Sequence, residues 1–161
     1  MSVIDAGTKA PDFAWPALDG KMYSLSEALK SGPMLVAFFK VGCPTCQYTF
    51  PFLERAAKHL GRIWGVSQDN ERATRDFAEH FGVTFPLLLE DTDDFPTSNE
   101  YGLTHVPSIF LIDRSGEIIA NCVGFGRQDL LDMTAKLGVL SGRTGLQLFE
   151  SGEDIPKFKA G

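Results

Sequence analysis

The stretch Phe38-Phe39-Lys40-Val41-Gly42-Cys43-Pro44-Thr45-Cys46 decides how this chain is read. It closes an apolar run over residues 34–39 that includes a Val and two Phe. A run of that length and character suits a strand buried on both faces, as in a parallel sheet. Gly42 breaks it. Residues 44–60 then read as a helix, because Phe52, Leu53, Ala56, Ala57 and Leu60 recur at helical spacing and Gly61 supplies a stop. Pro51 falls inside this helix and is expected to kink it. Cys43 lands at the helix N-cap and Pro44 at the first helical position, where a missing amide costs nothing. Cys46 lies one turn on and faces Cys43, so a disulfide across the pair is feasible.

That placement sets the chemistry. A helix N-terminus carries partial positive charge and free N–H groups, both of which favour a thiolate. Cys43 is therefore expected to be the exposed nucleophile. Cys46, deeper in the turn, is expected to be the resolving thiol that attacks a mixed disulfide. Lys40 either supports the anion or is a solvated strand end. Half of a zinc site has the same C-x-x-C spacing, but zinc takes four ligands. Cys122, His59, His80 and His105 supply no second pair, so neither metal nor organic cofactor is expected.

Working outward, Asp19-Gly20 marks a tight turn between two short extended pieces. Residues 24–30 read as a short helix with Ser24 and Glu27 at capping-box spacing. Residues 62–67 form a second strand, 71–81 a second long helix closed by Gly82, and 86–89 a short strand. An acidic loop follows at 90–94, then a helical turn at 97–101. Residues 108–112 and 117–123 pair as a hairpin around a turn at 114–116, and 128–137 is the last clear helix. Residues 138–161 read as a C-terminal tail in which 146–149 pack back and 153–161 are loose. Alternating strands and helices imply parallel strands joined by crossovers, to which the hairpin adds antiparallel ones. The expected fold is a single α/β domain, a three-layer sandwich around a mixed central sheet.

Composition excludes other classes. At 161 residues the chain can bury roughly 70% of its unfolded surface, so it needs no disulfide staples. Its longest strongly apolar run is six residues, against about 20 for a membrane span. Fifteen Lys and Arg against 21 Asp and Glu give a net charge of −6, with no basic run to track a phosphate backbone, so no nucleic-acid partner is expected. Residues 1–9 show no basic start with an apolar core, so a cytoplasmic chain without a signal peptide is expected. Three cysteines, an odd number, argue against a structural disulfide framework.

In combination these motifs resemble the thioredoxin superfamily, in the redoxin branch that includes relatives of TlpA and ResA and shades into the AhpC/TSA peroxiredoxins. The resemblance covers roughly residues 8–137. Ala10-Pro11-Asp12-Phe13 with Asp19-Gly20-Lys21 looks like the family's N-terminal hairpin extension. Pro51 matches the proline in the first long helix of thioredoxins, and Gly65-Val66-Ser67-Gln68-Asp69 looks like the redoxin second strand and its exit. Val106-Pro107 is similar to the family's cis-proline, and Val123-Gly124 to the glycine that lets a partner chain approach. The resemblance implies that the Val106-Pro107 loop lies beside the dithiol and that the Val106 backbone pairs with an incoming extended peptide. Three positions depart from it. Gly42 stands where thioredoxins carry Trp, Ala37 where they bury an Asp, and Thr49 where ResA-like proteins place a Glu. No proton acceptor for Cys46 is evident, leaving water, Lys40 or an unidentified group.

The expected activity is thiol–disulfide exchange, acting on a protein or small-molecule disulfide and restored by an external thiol reductant. The site would comprise Cys43 and Cys46 with Pro44, Thr45, Lys40, Val106, Pro107 and Gly124 as neighbours. One alternative is a thiol peroxidase with an antioxidant role, passing through a sulfenic acid. The P-x-x-x-T-x-x-C loop usual in peroxiredoxins is missing upstream of both cysteines. A second alternative is a non-catalytic module whose dithiol state controls a partner. Cys122 reads as a small buried hydrophobe, His105 as a loop residue able to border the dithiol, and Phe125 as a candidate edge of the substrate groove. Glu90, Asp91, Asp93 and Asp94 read as a solvated loop rather than a cation site.

Overall fold

The computed structural model describes residues 4–161. Part of the 1–9 segment read above for a signal peptide therefore lies outside the described residues. The 34–39 run forms β3 (Met34–Phe39), all six residues of which are buried. It sits at the centre of a five-stranded sheet with β4 (Ile63–Ser67), β5 (Leu87–Leu89), β6 (Ser108–Ile112) and β7 (Ile118–Val123), in the order β5-β4-β3-β6-β7. β3, β4 and β5 pair in parallel, while β6 runs antiparallel to both β3 and β7. The crossover and hairpin readings thus both hold, and the sheet is mixed.

Two apolar layers cover this sheet because β3 alternates its side chains. Leu35, Ala37 and Phe39 face a core shared with α2 (Pro44–Leu60), α3 (Glu71–Phe81) and α5 (Arg127–Ser141). Phe39 and Phe50 stack there with ring centroids 4.3 Å apart, and Phe77 packs on both. Met34, Val36 and Phe38 face a second core closed by α1 (Leu25–Leu29), Phe13 and Tyr101. Each fully buried aromatic or branched side chain is worth about 1.5–3 kcal/mol of transfer free energy. An antiparallel hairpin, β1 (Ala14–Pro16) with β2 (Met22–Ser24), precedes α1. Ser24 caps α1 by accepting from the Glu27 amide. A short α4 (Pro96–Glu100) leads to Tyr101. Among the described residues no helix is long and apolar enough to cross a membrane.

Three readings need correction. α5 does not stop at 137 but runs to Ser141, so the tail starts later than residue 138. Gly138 is tolerated inside the helix because a Cβ there would lie 2.5 Å from the Arg143 carbonyl oxygen, and Gly142 in the left-handed region is the true cap. Residues 153–161 are not loose throughout. Phe158–Lys159 form β9, paired antiparallel with β8 (Phe125–Gly126). Within the acidic loop Glu90 is buried rather than solvated, its carboxylate accepting from the Ser98 amide (2.6 Å) and hydroxyl (2.5 Å). Burial pushes its carboxyl up and the Ser98 donors partly oppose this.

Candidate active site

β3 delivers the chain to Phe39, and Lys40, Val41 and Gly42 carry it to the start of α2. Two side chains fix this short loop. Asp69, just past β4, accepts from the Val41 amide at 2.8 Å, and Gln47 in α2 donates to the Val41 carbonyl at 2.9 Å. Cys43 is the N-cap, with extended backbone (φ −81°, ψ 115°), and Pro44 opens the helix. The Cys43 Sγ accepts from the Cys46 amide at 3.2 Å, so it occupies the position an Asp or Ser oxygen takes in an ordinary cap. The sulfur thus sits at the N-terminus of α2 with a backbone amide donating to it.

The two thiols differ sharply. Cys43 is half-buried, whereas Cys46 is fully buried. Burial, the hydrogen bond with Cys43 and the negative charges nearby, including Asp69, push the Cys46 thiol well above its ordinary value. Cys122 is buried at the β7 end of the same core, and burial together with Asp129 pushes it up to about 12. It packs as the small hydrophobe expected.

A second segment completes the site. The Val106–Pro107 peptide bond is cis. The Val106 carbonyl oxygen lies 3.4 Å from Cys43 Sγ and accepts from it when the thiol is protonated. Gly124, at φ +80°, donates its amide to the Pro107 carbonyl at 2.8 Å. The structure thus brings Cys43, Cys46, Val106, Pro107 and Gly124 into one constellation. Lys40 is exposed and lines the adjoining cleft, while its backbone carbonyl accepts from the Cys43 amide at 3.2 Å. Thr45 donates its hydroxyl to the Ala160 carbonyl at 2.5 Å.

Beside Cys43 lies a cleft of about 440 Å³, lined among others by Lys40, Gln68, Thr104, His105 and Val106. His105 is exposed and borders the dithiol from this side. A larger hollow of about 610 Å³ near Leu18, Tyr23 and Arg75 has no thiol in its wall. Phe125 does not edge the groove. It is fully buried and packs on Tyr48, Phe52 and Phe149. Among the described residues, no three His, Cys, Asp or Glu side chains gather as a metal site. Two participants escaped the sequence reading. Asp69 was visible only as the end of a strand-exit motif, and the 158–161 segment carried no local signal.

A half-buried cysteine at a helix N-cap, a buried cysteine one turn on and the Val106 carbonyl just ahead of the cis-proline come together as a dithiol site. The family comparison agrees: the AhpC/TSA family model matches residues 6–121. The chain belongs to the AhpC/TSA family. Among relatives of this AhpC/TSA chain is the thiol-disulfide oxidoreductase ResA of Geobacillus kaustophilus, 30% identical over 122 residues, a match spanning 73% of this chain and 68% of that one. The thioredoxin domain of a thiol-disulfide oxidoreductase from Bacteroides vulgatus superposes with a TM-score of 0.73 at 27% identity, covering 83% of this chain and 97% of that one. The peroxidoxin BcpB of Mycobacterium tuberculosis shares the fold, with a TM-score of 0.71 at 22% identity over 85% of this chain and 98% of that one.

Proposed function

We propose that Cys43 and Cys46 carry out the two steps of thiol–disulfide exchange. The chain is a thioredoxin-like thiol–disulfide oxidoreductase, and the observation that carries the mechanism is the Cys43 sulfur at the cap of α2, 3.2 Å from the Cys46 amide and 3.4 Å from the Val106 carbonyl oxygen. The Cys43 thiolate attacks one sulfur of the substrate disulfide. That S–S bond breaks, a mixed disulfide forms, and the departing sulfur leaves as a thiolate that takes a proton from solvent. Cys46 then loses its proton and attacks Cys43 Sγ, the mixed disulfide breaks, and the second substrate thiolate departs. Two electrons have moved to the substrate and Cys43–Cys46 is a disulfide. An external thiol reductant returns the dithiol by the same steps in reverse.

The cytoplasm is the compartment this reading proposes, supported by Cys122, a buried thiol with no partner cysteine. Cell fractionation tests it. The chemistry is tested by measuring disulfide reduction and hydroperoxide consumption side by side for wild type, Cys43→Ser and Cys46→Ser. Loss of disulfide reduction in Cys43→Ser, with a trapped mixed disulfide in Cys46→Ser, is expected. Full activity in Cys43→Ser refutes the mechanism. Peroxide turnover faster than disulfide reduction replaces it with a thiol peroxidase.

A further inference from the structure

We propose that residues 157–161 are a built-in occupant of the edge on which an extended substrate would add, so that the enzyme takes small disulfides through the cleft beside Cys43 and discriminates against polypeptide ones. The inference rests on the exchange chemistry above and names its substrate class.

The path of the segment makes the case. β9 pairs with β8 in the register Phe125 with Lys159 and Gly126 with Phe158, and the Arg127 amide extends the ladder to the Lys157 carbonyl at 3.0 Å. The chain then crosses Gly124. A Cβ there would lie 2.6 Å from the Lys159 carbonyl oxygen and 3.1 Å from the Gly161 amide nitrogen. The space left by the missing side chain is thus filled by the protein itself. Next, the Ala160 carbonyl accepts from Thr45, between the two cysteines. Finally Gly161 reaches the cis-proline loop, where a Cβ on it would lie 2.4 Å from the Val106 carbonyl oxygen. The segment therefore lies along β8, Gly124 and Val106 in turn, the backbone that strand addition would use.

Its attachment is uneven, which makes it displaceable. Upstream it is anchored: Arg55 holds Glu153 through two hydrogen bonds of 2.6 and 2.8 Å, and Arg127 donates to the Ile155 carbonyl at 3.0 Å. From Lys157 onward every residue is exposed, Phe158 to 59%. Lifting these residues sacrifices little apolar burial. Beside Cys43 the cleft of about 440 Å³ stays open, with the polar side chains of Lys40, Gln68, Thr104 and His105 along it and Gly161 as the one residue of the segment in its wall. A small disulfide enters there without moving the segment, whereas an extended polypeptide must displace it. If the segment covers the edge nine-tenths of the time, the apparent affinity for a polypeptide falls about tenfold.

The experiment compares kcat/KM for insulin and for 2-hydroxyethyl disulfide in the wild type, Lys159→Pro and Arg55→Met. Lys159→Pro removes the amide of the residue paired with Phe125, and Arg55→Met removes the Glu153 anchor. Amide hydrogen exchange at residues 125–127 reports whether the segment has lifted. The expected result is faster exchange there, a rise of about tenfold for insulin, and a change of less than about twofold for the small disulfide. Equal changes for both substrates, an unchanged insulin rate once 125–127 is deprotected, or unchanged protection in both variants overturns the proposal. Wild type inactive on both substrates overturns the exchange chemistry as well, which an active enzyme without discrimination does not.

Discussion

Thr45 Oγ1 donates a 2.5 Å hydrogen bond to the carbonyl oxygen of Ala160, a residue 115 positions along the chain. The bond ties the dipeptide between the two cysteines to the segment that covers Gly124. A neutral hydrogen bond contributes about 0.5–1.5 kcal/mol net, so Thr45→Val is expected to speed amide exchange at residues 125–127 roughly two- to tenfold. Thr45→Ser keeps the hydroxyl and is expected to behave as wild type. Identical exchange in Thr45→Val and wild type would show that this bond does not hold the segment.

The two active-site thiols make the second half-reaction pH-dependent. The reactive form of Cys46 is the thiolate, and burial and nearby Asp69, both still present in the mixed disulfide, push the thiol upward. Deprotonation becomes easier as pH rises, so the release of mixed disulfide is expected to accelerate by about a factor of ten per pH unit from pH 6 to pH 9, with no plateau. Asp69→Asn keeps an acceptor for the Val41 amide and removes the charge. It is expected to shift the profile toward lower pH by up to about one unit. A slower step in Asp69→Asn would instead make Asp69 the group that accepts the Cys46 proton.

Labelling stoichiometry separates the three thiols. Cys46 is fully buried, and Cys122 is buried with its thiol pushed up to about 12. Only Cys43 is partly exposed. Brief alkylation of the reduced native protein at pH 7 is therefore expected to add one label, located at Cys43 by peptide mass spectrometry, and unfolding to make all three reactive. A label on Cys122 in the native protein would contradict the burial that makes it structural.

How much of this was legible beforehand depended on the range of the signal. β3 and α2 were readable to the residue, because an apolar run, a Gly break, Pro44 at the first helical position and Gly61 at the end are all local. The cis-proline and Gly124 were readable only through a family resemblance, since neither residue type reports its backbone geometry by itself. β9 was invisible. Two residues, Phe158 and Lys159, have no periodicity, and their strand character comes from Phe125 and Gly126, more than thirty positions away. Gly138 misled for the opposite reason. The helical pattern fades at this residue, yet the helix runs on, and the turn at Gly142 folds the Arg143 backbone back over it where a Cβ would not fit. Glu90 was misread likewise: acidic neighbours suggested solvent, while Ser98 in α4 supplies both donors that let it be buried.

Glu54 gives the same kind of long-range tie a measurable value. It lies on α2, 5% exposed, eight residues beyond Cys46 and so about 12 Å along the helix from the dithiol. Its carboxylate accepts from the Thr84 amide (2.8 Å), the Thr84 hydroxyl (2.6 Å) and the Phe85 amide (3.3 Å). It thereby pins the α3–β5 connection to the helix that carries the nucleophile. Glu54→Ala removes a charged acceptor and strands the buried Phe85 amide, while Thr84 recovers water. The expected loss is about 2–4 kcal/mol of stability, read from urea unfolding with an unchanged slope. Glu54→Gln retains one acceptor oxygen and is expected to lose less. Reduction of a small disulfide at 25 °C should continue in both variants, because neither change touches Cys43, Cys46 or Val106. A loss below about 0.5 kcal/mol in Glu54→Ala would mean that water replaces the carboxylate at all three donors.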